Sequence, residues 1–266
     1  MAAAAVFALY ALAVEPYWIE VTRHRVVGRV FSPVTIAHLS DLHTGGLGRR
    51  ERKLLDLLAA ERPDIVVVTG DLVEDAGFVA PGDGWIDEAV YAGPGEVLSR
   101  IRAPLGVWVS RGNWENWRRH PDEGSFYRAA GATLLVDEGR APRRDLWVMG
   151  LDDPWTGQPD ADAALDGAPE HAFRLAAFHA PVLLEAVAGR VDLALAGHTH
   201  GGQVRPPLVP PFWLPHGSGG YVAGWYQQAG TRMYVSRGIG TSTLPVRFRC
   251  RPELAVVTVT PGRPAP

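Results

Sequence analysis

Two periods of apolar residues alternate along this chain of 266 residues. Trp18-Ile19-Glu20-Val21-Thr22 begins an alternation of period two, while Val34 to Leu39 and Asp64 to Thr69 are nearly unbroken runs rich in β-branched residues; all three predict strands. Between the two runs, Leu54, Leu55, Leu57 and Leu58 repeat at helical spacing over Glu51 to Glu61. That helix is expected to stop at Arg62-Pro63, because the residue before a proline is pushed out of the helical region. Strand, helix and strand make a β-α-β unit. The rhythm continues with strands predicted at Leu105 to Ser110, Leu146 to Met149, Phe173 to Phe178, Leu193 to Ala196, Met233 to Ser236 and Leu254 to Thr260, and a helix at Pro181 to Ala188. The class is therefore α/β. No linker-like shift in composition divides the chain, so residues 15–266 are expected to form one domain, with a long irregular loop at 201–220 and a tail at 261–266.

The residues just beyond the strands carry the chemistry. The runs lead into Asp41-Leu42-His43, Gly70-Asp71, Gly112-Asn113, His179 and Gly197-His198-Thr199-His200. Loops leaving the carboxyl ends of neighbouring strands converge in α/β sheets, so two Asp, one Asn and four His are expected on one rim. Alone, an Asp-x-His or Gly-Asp is more often just a turn; the ordered set is what points to a site. Oxygen and nitrogen donors without sulfur suit Mn, Fe, Zn or Co without choosing among them, and seven of them can hold two divalent cations; Mn is the first expectation. Two such ions roughly 3.5–4 Å apart need a bridge, and Asp71 fits because a carboxylate has two oxygens to serve both. Gly70, Gly112 and Gly197 each stand where the chain must turn sharply off a strand.

These blocks resemble the calcineurin-like metallophosphoesterase superfamily, whose pattern runs Asp-x-His, Gly-Asp-x-x-Asp, Gly-Asn-His-Asp/Glu, a single His and Gly-His-x-His. The similarity extends from about Val34 to the C-terminus. Ser40 to Gly45, Gly197 to Val204 and Ser236 to Ser242 look like a subgroup of small, membrane-associated bacterial phosphoesterases, and some members of that broader group cleave the lipid A precursor UDP-diacylglucosamine. The resemblance implies a four-layer α-β-β-α sandwich with ligands at the carboxyl ends of its strands. It implies one metal site of Asp41, His43 and His200, a second of Asn113, His179 and His198, and Asp71 shared between them. Asp41, Asn113 and Asp71 would then be catalytic, and a metal-activated hydroxide would hydrolyse a phosphodiester or pyrophosphate. Two positions depart from the pattern: Glu74-Asp75 shifts the later acid by one residue, and Trp114 replaces the family's catalytic histidine. The second departure leaves an alternative open, a metal-bearing binding module with little catalysis.

Arg111, Arg205 and Arg237 border motifs and could bind phosphate bidentately, Arg237 foremost. Trp114 is placed with Arg111 and Arg237 as a substrate contact. Nine tryptophans, among them Trp117 and Trp155, and the tract carrying Phe212, Trp213, Tyr221, Trp225 and Tyr226, suggest an aromatic wall for a lipid chain or a base; ordinary loop packing explains them equally. His38 reads as a satisfied strand residue, His24 and His171 as surface residues, and His120 and His216 as members of mouth loops. A net charge of −3 lacks the basic footprint of nucleic-acid binding, so the expected partner is a small phosphoester or pyrophosphate. The single Cys250 allows no intramolecular disulfide.

Residues 1–14 are continuously apolar from Ala2, too short for the roughly 20 residues of a spanning helix and without the basic start of a signal peptide, although Ala11-Leu12-Ala13 resembles a cleavage site. They read as the remnant of a membrane anchor. Arg23, Arg25 and Arg29 beyond it would then favour a cytoplasmic flank. The expectation is membrane association, with a soluble cytoplasmic enzyme as the alternative.

Overall fold

The computed structural model describes residues 2–73, 85–86 and 88–262. Glu74-Asp75 and residues 263–266 of the expected tail lie outside them. The strands are β1 (Glu20–Gly28), β2 (Val34–Leu39), β3 (Ile65–Thr69), the two-residue β4 (Trp85–Ile86), β5 (Val107–Ser110), the two-residue β6 (Arg118–Arg119), β7 (Thr133–Leu135), β8 (Glu138–Arg143), β9 (Leu146–Gly150), β10 (Phe173–Ala177), β11 (Leu193–Ala196), β12 (Gly224–Gln228), β13 (Thr231–Val235) and β14 (Glu253–Pro261). The helices are α1 (Ala2–Leu9), α2 (Arg49–Glu61), α3 (Ala92–Leu98), α4 (Asn113–Trp117), α5 (Glu123–Ala129), α6 (Ala161–Leu165) and α7 (Leu184–Val187). One six-stranded sheet has the order β1-β14-β2-β3-β5-β7, and a second the order β12-β13-β11-β10-β9-β8.

Burial on both faces explains why the central strands read as unbroken apolar runs. Ile36, Ile65, Val67, Val148, Leu175, Leu193 and Leu195 point between the sheets and meet there. Their neighbours Ala37, Val66 and Val68 face outward onto Leu54 and Leu58 of α2 and Val97 of α3. On the second sheet Met149, Ala176 and Ala194 pack outward against Ala164 of α6 and Leu184 of α7. The result is four layers, helix, sheet, sheet and helix, as the resemblance implied. α2 begins two residues before the expected start and ends where Arg62, at φ 48°, closes its N–H on the Leu58 carbonyl before Pro63. The segment expected as one helix from Pro181 is a 3-10 turn (Pro181–Leu183) followed by the single turn of α7.

Parallel pairing aligns the carboxyl ends of β2, β3 and β5 in the first sheet and of β9, β10 and β11 in the second. Both sets of exits meet at one end of the sandwich. The N-terminal segment lies against the same end: α1 continues through a π turn (Tyr10–Val14), Phe7 packs edge-on against Phe248 at 4.6 Å, and the Ala11 carbonyl accepts the Arg247 N–H. Val6, Leu9 and Leu12 face outward. Among the described residues no helix is long and apolar enough to cross a membrane.

His38 is fully buried beneath the site, with Nε2 2.9 Å from the Thr69 hydroxyl. Burial lowers its pKa to about 3, against a smaller upward pull from Glu253. The unfolded imidazole takes a proton near pH 6.5 and the folded one resists, so stability is fully present above 6.5 and is lost as pH falls toward 3. Denaturant titrations of metal-free protein should show a shallower acid loss in His38→Gln than in the parent. Equal slopes would show that His38 takes no part. His24, expected at the surface, is half-buried, with its ring against Trp225 and Tyr234.

Candidate metal centre

The donor side chains come from five strand exits in two sheets. Asp41 and His43 follow β2, Asp71 follows β3, Asn113 opens α4 after β5, His179 follows β10, and His198 and His200 follow β11. Main-chain bonds knit the exits together: Asp41 N–H to the Gly70 carbonyl, His43 N–H to the Asp71 carbonyl, and Gly197 N–H to the His179 carbonyl. Gly70 is required here, with φ 78° and a position so close to Gly112 that a Cβ would collide with its backbone. Five donor residues, none of them glycine, also sit in the left-handed region: Asp41 at φ 51°, His43 at 40°, Asp71 at 52°, His198 at 71° and His200 at 49°. Such conformations cost on the order of 1–3 kcal/mol each and persist where the surroundings over-determine them, typically at functional sites.

Two groups of donors result. The ligand atoms of Asp41, His43 and His200 lie within 4.8 Å of one another, and so do those of Asp71, His179 and His198. Asp71 joins the groups: its Oδ2 is 3.0 Å from His179 Nε2 and 3.7 Å from His43 Nε2. Its Oδ1 accepts the Trp114 N–H at 3.0 Å from the first turn of α4, while Oδ2 faces a histidine of each group.

Three imidazoles have their protons placed by main-chain carbonyls, which can only accept. His43 Nδ1 donates to Val73, His179 Nδ1 to Thr69 and His198 Nε2 to His216. Their other nitrogens then aim at shared space, with His43 Nε2 3.3 Å from His200 Nε2 and His198 Nδ1 2.9 Å from His179 Nε2. Ring nitrogens converging at these separations suit a cation among them. The Oδ1 of Asn113 is buried without a hydrogen-bond partner, a further donor of the right kind. The residues therefore fit a pair of divalent ions.

Titration points the same way. Burial lowers His43 and His198 to about 3, with His179 adding to the shift, so both stay neutral as ligands must. Burial raises the carboxyls of Asp41 and Asp71. Burial would lower His179, but the Asp71 carboxylate outweighs it and raises that imidazole. Without an ion, Asp71 and His179 hold a proton that metal binding would displace.

The expected substrate contacts each have partners within the protein. Arg237 pairs with Glu253 at 3.2 Å and Glu20 at 2.8 Å, and Arg111 pairs with Glu123 and lies 3.9 Å from Asp152. Trp114 is buried against Trp117, Val73 and Tyr91, its ring edge-on to His43 at 6.2 Å. Trp117 meets Trp155, and Trp155 meets His216, so an aromatic row runs along one side of the centre. Of the later tract only Phe212 and Trp213 stand at the mouth, in an apolar hollow of about 410 Å³ beside His200. Tyr221 and Tyr226 pack on the second sheet instead.

Two further residues shape the centre from behind its donors. Glu115 is fully buried and gathers main-chain N–H groups around Asp71; its place two residues after Asn113, where the family pattern has an acid, was the available signal. Arg247 is fully buried and donates to the carbonyls of Arg237, Gly238, Gly240 and Cys250, and Gly240 N–H in turn holds the Asp41 carbonyl. Nothing local in the sequence marks it.

Residues 34–202 match the model of the calcineurin-like phosphoesterase family. The metallophosphoesterase YkuE of Bacillus subtilis is 29% identical over 94% of this chain and 88% of its own length. The phosphodiesterase YaeI of Escherichia coli is 29% identical over 91% of this chain and 89% of its own. A bovine transmembrane protein with a metallophosphoesterase domain is 29% identical over 89% of this chain and 55% of its own. With the matched region reaching over both donor groups, the chain belongs to the calcineurin-like phosphoesterases and is a metal-dependent phosphoesterase.

Proposed function

We propose that the chain hydrolyses a phosphodiester or pyrophosphate bond at a binuclear centre held by Asp41, His43, His200, Asp71, Asn113, His179 and His198. The observation that carries this reading is the Asp71 Oδ2, which faces a histidine of each donor group. When bound, a pair of divalent ions supplies a nucleophile at neutral pH and stabilises charge on the phosphoryl oxygens. The chain itself fixes the imidazole tautomers through Val73, Thr69 and His216, presents one oxygen of Asp71, and excludes water with the Trp114 wall. Mn is the first metal to test, then Zn, Fe and Co.

The finer reading is an amphiphilic substrate. A hollow of about 930 Å³ opens beside His43 and is lined by Thr44, Arg49, Arg50, Thr241 and Thr243. The apolar hollow beside His200 shares Thr243 and Leu244 with it and is walled by Val204, Phe212, Trp213 and Val246. A phosphodiester placed between them would send its polar, anionic end into the first hollow and an apolar chain into the second, as in UDP-diacylglucosamine. Val6, Leu9 and Leu12 exposed on the same end support contact with a membrane surface. Arg237, Arg111 and Trp114 stand as the proposed substrate contacts, the two arginines while also paired with carboxylates.

Purified protein assayed with bis-p-nitrophenyl phosphate should turn over with Mn or Zn and stop with a chelator. Absent turnover, on this compound and on UDP-linked lipids, would favour the binding module, and turnover that survives the chelator would overturn the metal-centred reading. Phe212→Ser with Trp213→Ser should raise KM for a long-chain phosphodiester while leaving that for bis-p-nitrophenyl phosphate in place; equal changes remove the apolar subsite. Liposome sedimentation should fall on deletion of residues 1–14.

A further inference from the structure

Glu115 lies under the centre and touches none of the space between the donor groups. Its Oε1 accepts the N–H of Leu72 at 2.7 Å and of Val73 at 3.3 Å. Its Oε2 accepts the N–H of Asp71 at 2.9 Å and of Gly112 at 2.8 Å. Three of these four donors belong to the turn after β3, and the fourth to the turn after β5. One side chain therefore ties together the two exits that carry Asp71 and Asn113. The residue beside it, Trp114, uses its N–H to hold Asp71 Oδ1.

We infer that Glu115 is the positioning residue for the Asp71 bridge: it holds the Asp71 backbone in its left-handed conformation and its register with Asn113, so that Oδ2 is the oxygen presented to both metal sites. The inference rests on the assignment of Asp71 and Asn113 as ligands. Its chemistry is specific to a carboxylate. Each oxygen receives two N–H groups, and a carboxylate offers acceptors on both sides. A glutamine would turn an NH2 group against two N–H donors whichever way the amide faced, and an aspartate is one methylene too short to reach both turns. The charge matters as well as the shape. A buried carboxylate beside Asp71 adds negative potential where two cations are to sit, and partners behind the ligands of a metal centre are typically worth about 10–100-fold in affinity or activity. Glu115 itself donates nothing and meets no substrate, so it is not a catalytic residue.

The test uses full-length protein stripped of metal and titrated with Co(II), read by the visible absorption of the bound ion, by metal-to-protein stoichiometry and by the apo-protein Tm. Asp145→Asn is the control, because Asp145 is also fully buried and accepts a main-chain N–H, from Phe31, but lies in the turn before β9, at the opposite end of that strand from the centre. Glu115→Gln should lose about 10–100-fold in Co(II) affinity and alter the absorption band, lower kcat at saturating metal, and leave KM for bis-p-nitrophenyl phosphate within about threefold. Glu115→Asp should fall between parent and Gln in affinity, and it carries the test if the Gln variant does not fold. Asp145→Asn should lower Tm and bind Co(II) as the parent does. Parental Co(II) affinity and absorption in a folded Glu115 variant, with a Tm loss like that of Asp145→Asn, would overturn the inference and leave Glu115 as a structural residue. A parent protein that binds fewer than two Co(II) would overturn the ligand assignment and this inference with it.

Discussion

Asp71→Ala is expected to remove both metals and at least about three orders of magnitude of turnover. Lewis-acid stabilisation of a phosphoryl transition state is worth several kcal/mol, and each 1.36 kcal/mol is tenfold in rate. The substitution deletes an oxygen that faces both donor groups, Oδ2 between His43 and His179. It also leaves two cations with one fewer negative charge in a fully buried site, where uncompensated charge is costly. Asn113→Ala should be milder, because its single neutral oxygen serves one group and Asp71 stays in place. Elemental analysis of the two variants after dialysis against buffer containing Mn separates the cases. Two equivalents retained in Asp71→Ala would show that the bridge is assigned to the wrong residue; fewer in Asn113→Ala than in Asp71→Ala would reverse the ranking of the two ligands.

The chemistry of the centre was legible because metal ligation restricts residue types, and because five predicted strands each ended on one of those types. The same was true of the core strands: β2 and β11 occupy the expected residues, since runs that are apolar apart from Thr35 and His38 end where the motif residues begin. Long-range pairing was not legible. β14 enters between β1 and β2, parallel to one and antiparallel to the other, and no local pattern in Leu254 to Thr260 says so. The missed strands β8 and β12 are edges, with the sequences EGRAPR and GWYQQ, where one side meets water and polar residues are tolerated. The missed helix α3 contains Gly93, Pro94 and Gly95, which propensity argues against and packing against the first sheet overrides. At the centre, the features that stayed hidden are main-chain groups: carbonyls of Thr69, Val73 and His216 that set tautomers, and N–H groups collected by Glu115. Side-chain identity does not encode them, so they appear only when the exits are brought together.

Trp114→His should raise turnover on alkyl phosphodiesters relative to aryl ones, by up to the 10²–10⁴-fold range, roughly, that a positioned general acid supplies. The position matters because Trp114 follows Asn113 and its ring lies edge-on to His43, so a shorter imidazole there would face the same space. Indole has only an N–H donor and no proton to exchange near neutral pH. The parent should therefore favour leaving groups that depart unprotonated, such as nitrophenolate or a nucleoside monophosphate. Of three residues that could supply a substitute acid, Glu115 has both oxygens occupied by N–H groups and the His120 ring packs on Tyr91 and Phe126 with Nδ1 accepting the Asp122 N–H, which leaves His216, its ring 5.6 Å from that of Trp155. The cost is a hole against Trp117 and Val73, and truncating a buried aromatic costs about 3 kcal/mol or more when the site cannot close. Tm and metal content must accordingly be measured alongside the rates. If the variant folds, binds two metals and keeps the parental ratio between ethyl p-nitrophenyl and dialkyl phosphodiesters, the side chain at 114 does not face the leaving group. A rise confined to the alkyl substrate would place the missing proton donor at this residue and explain which substrates the tryptophan selects.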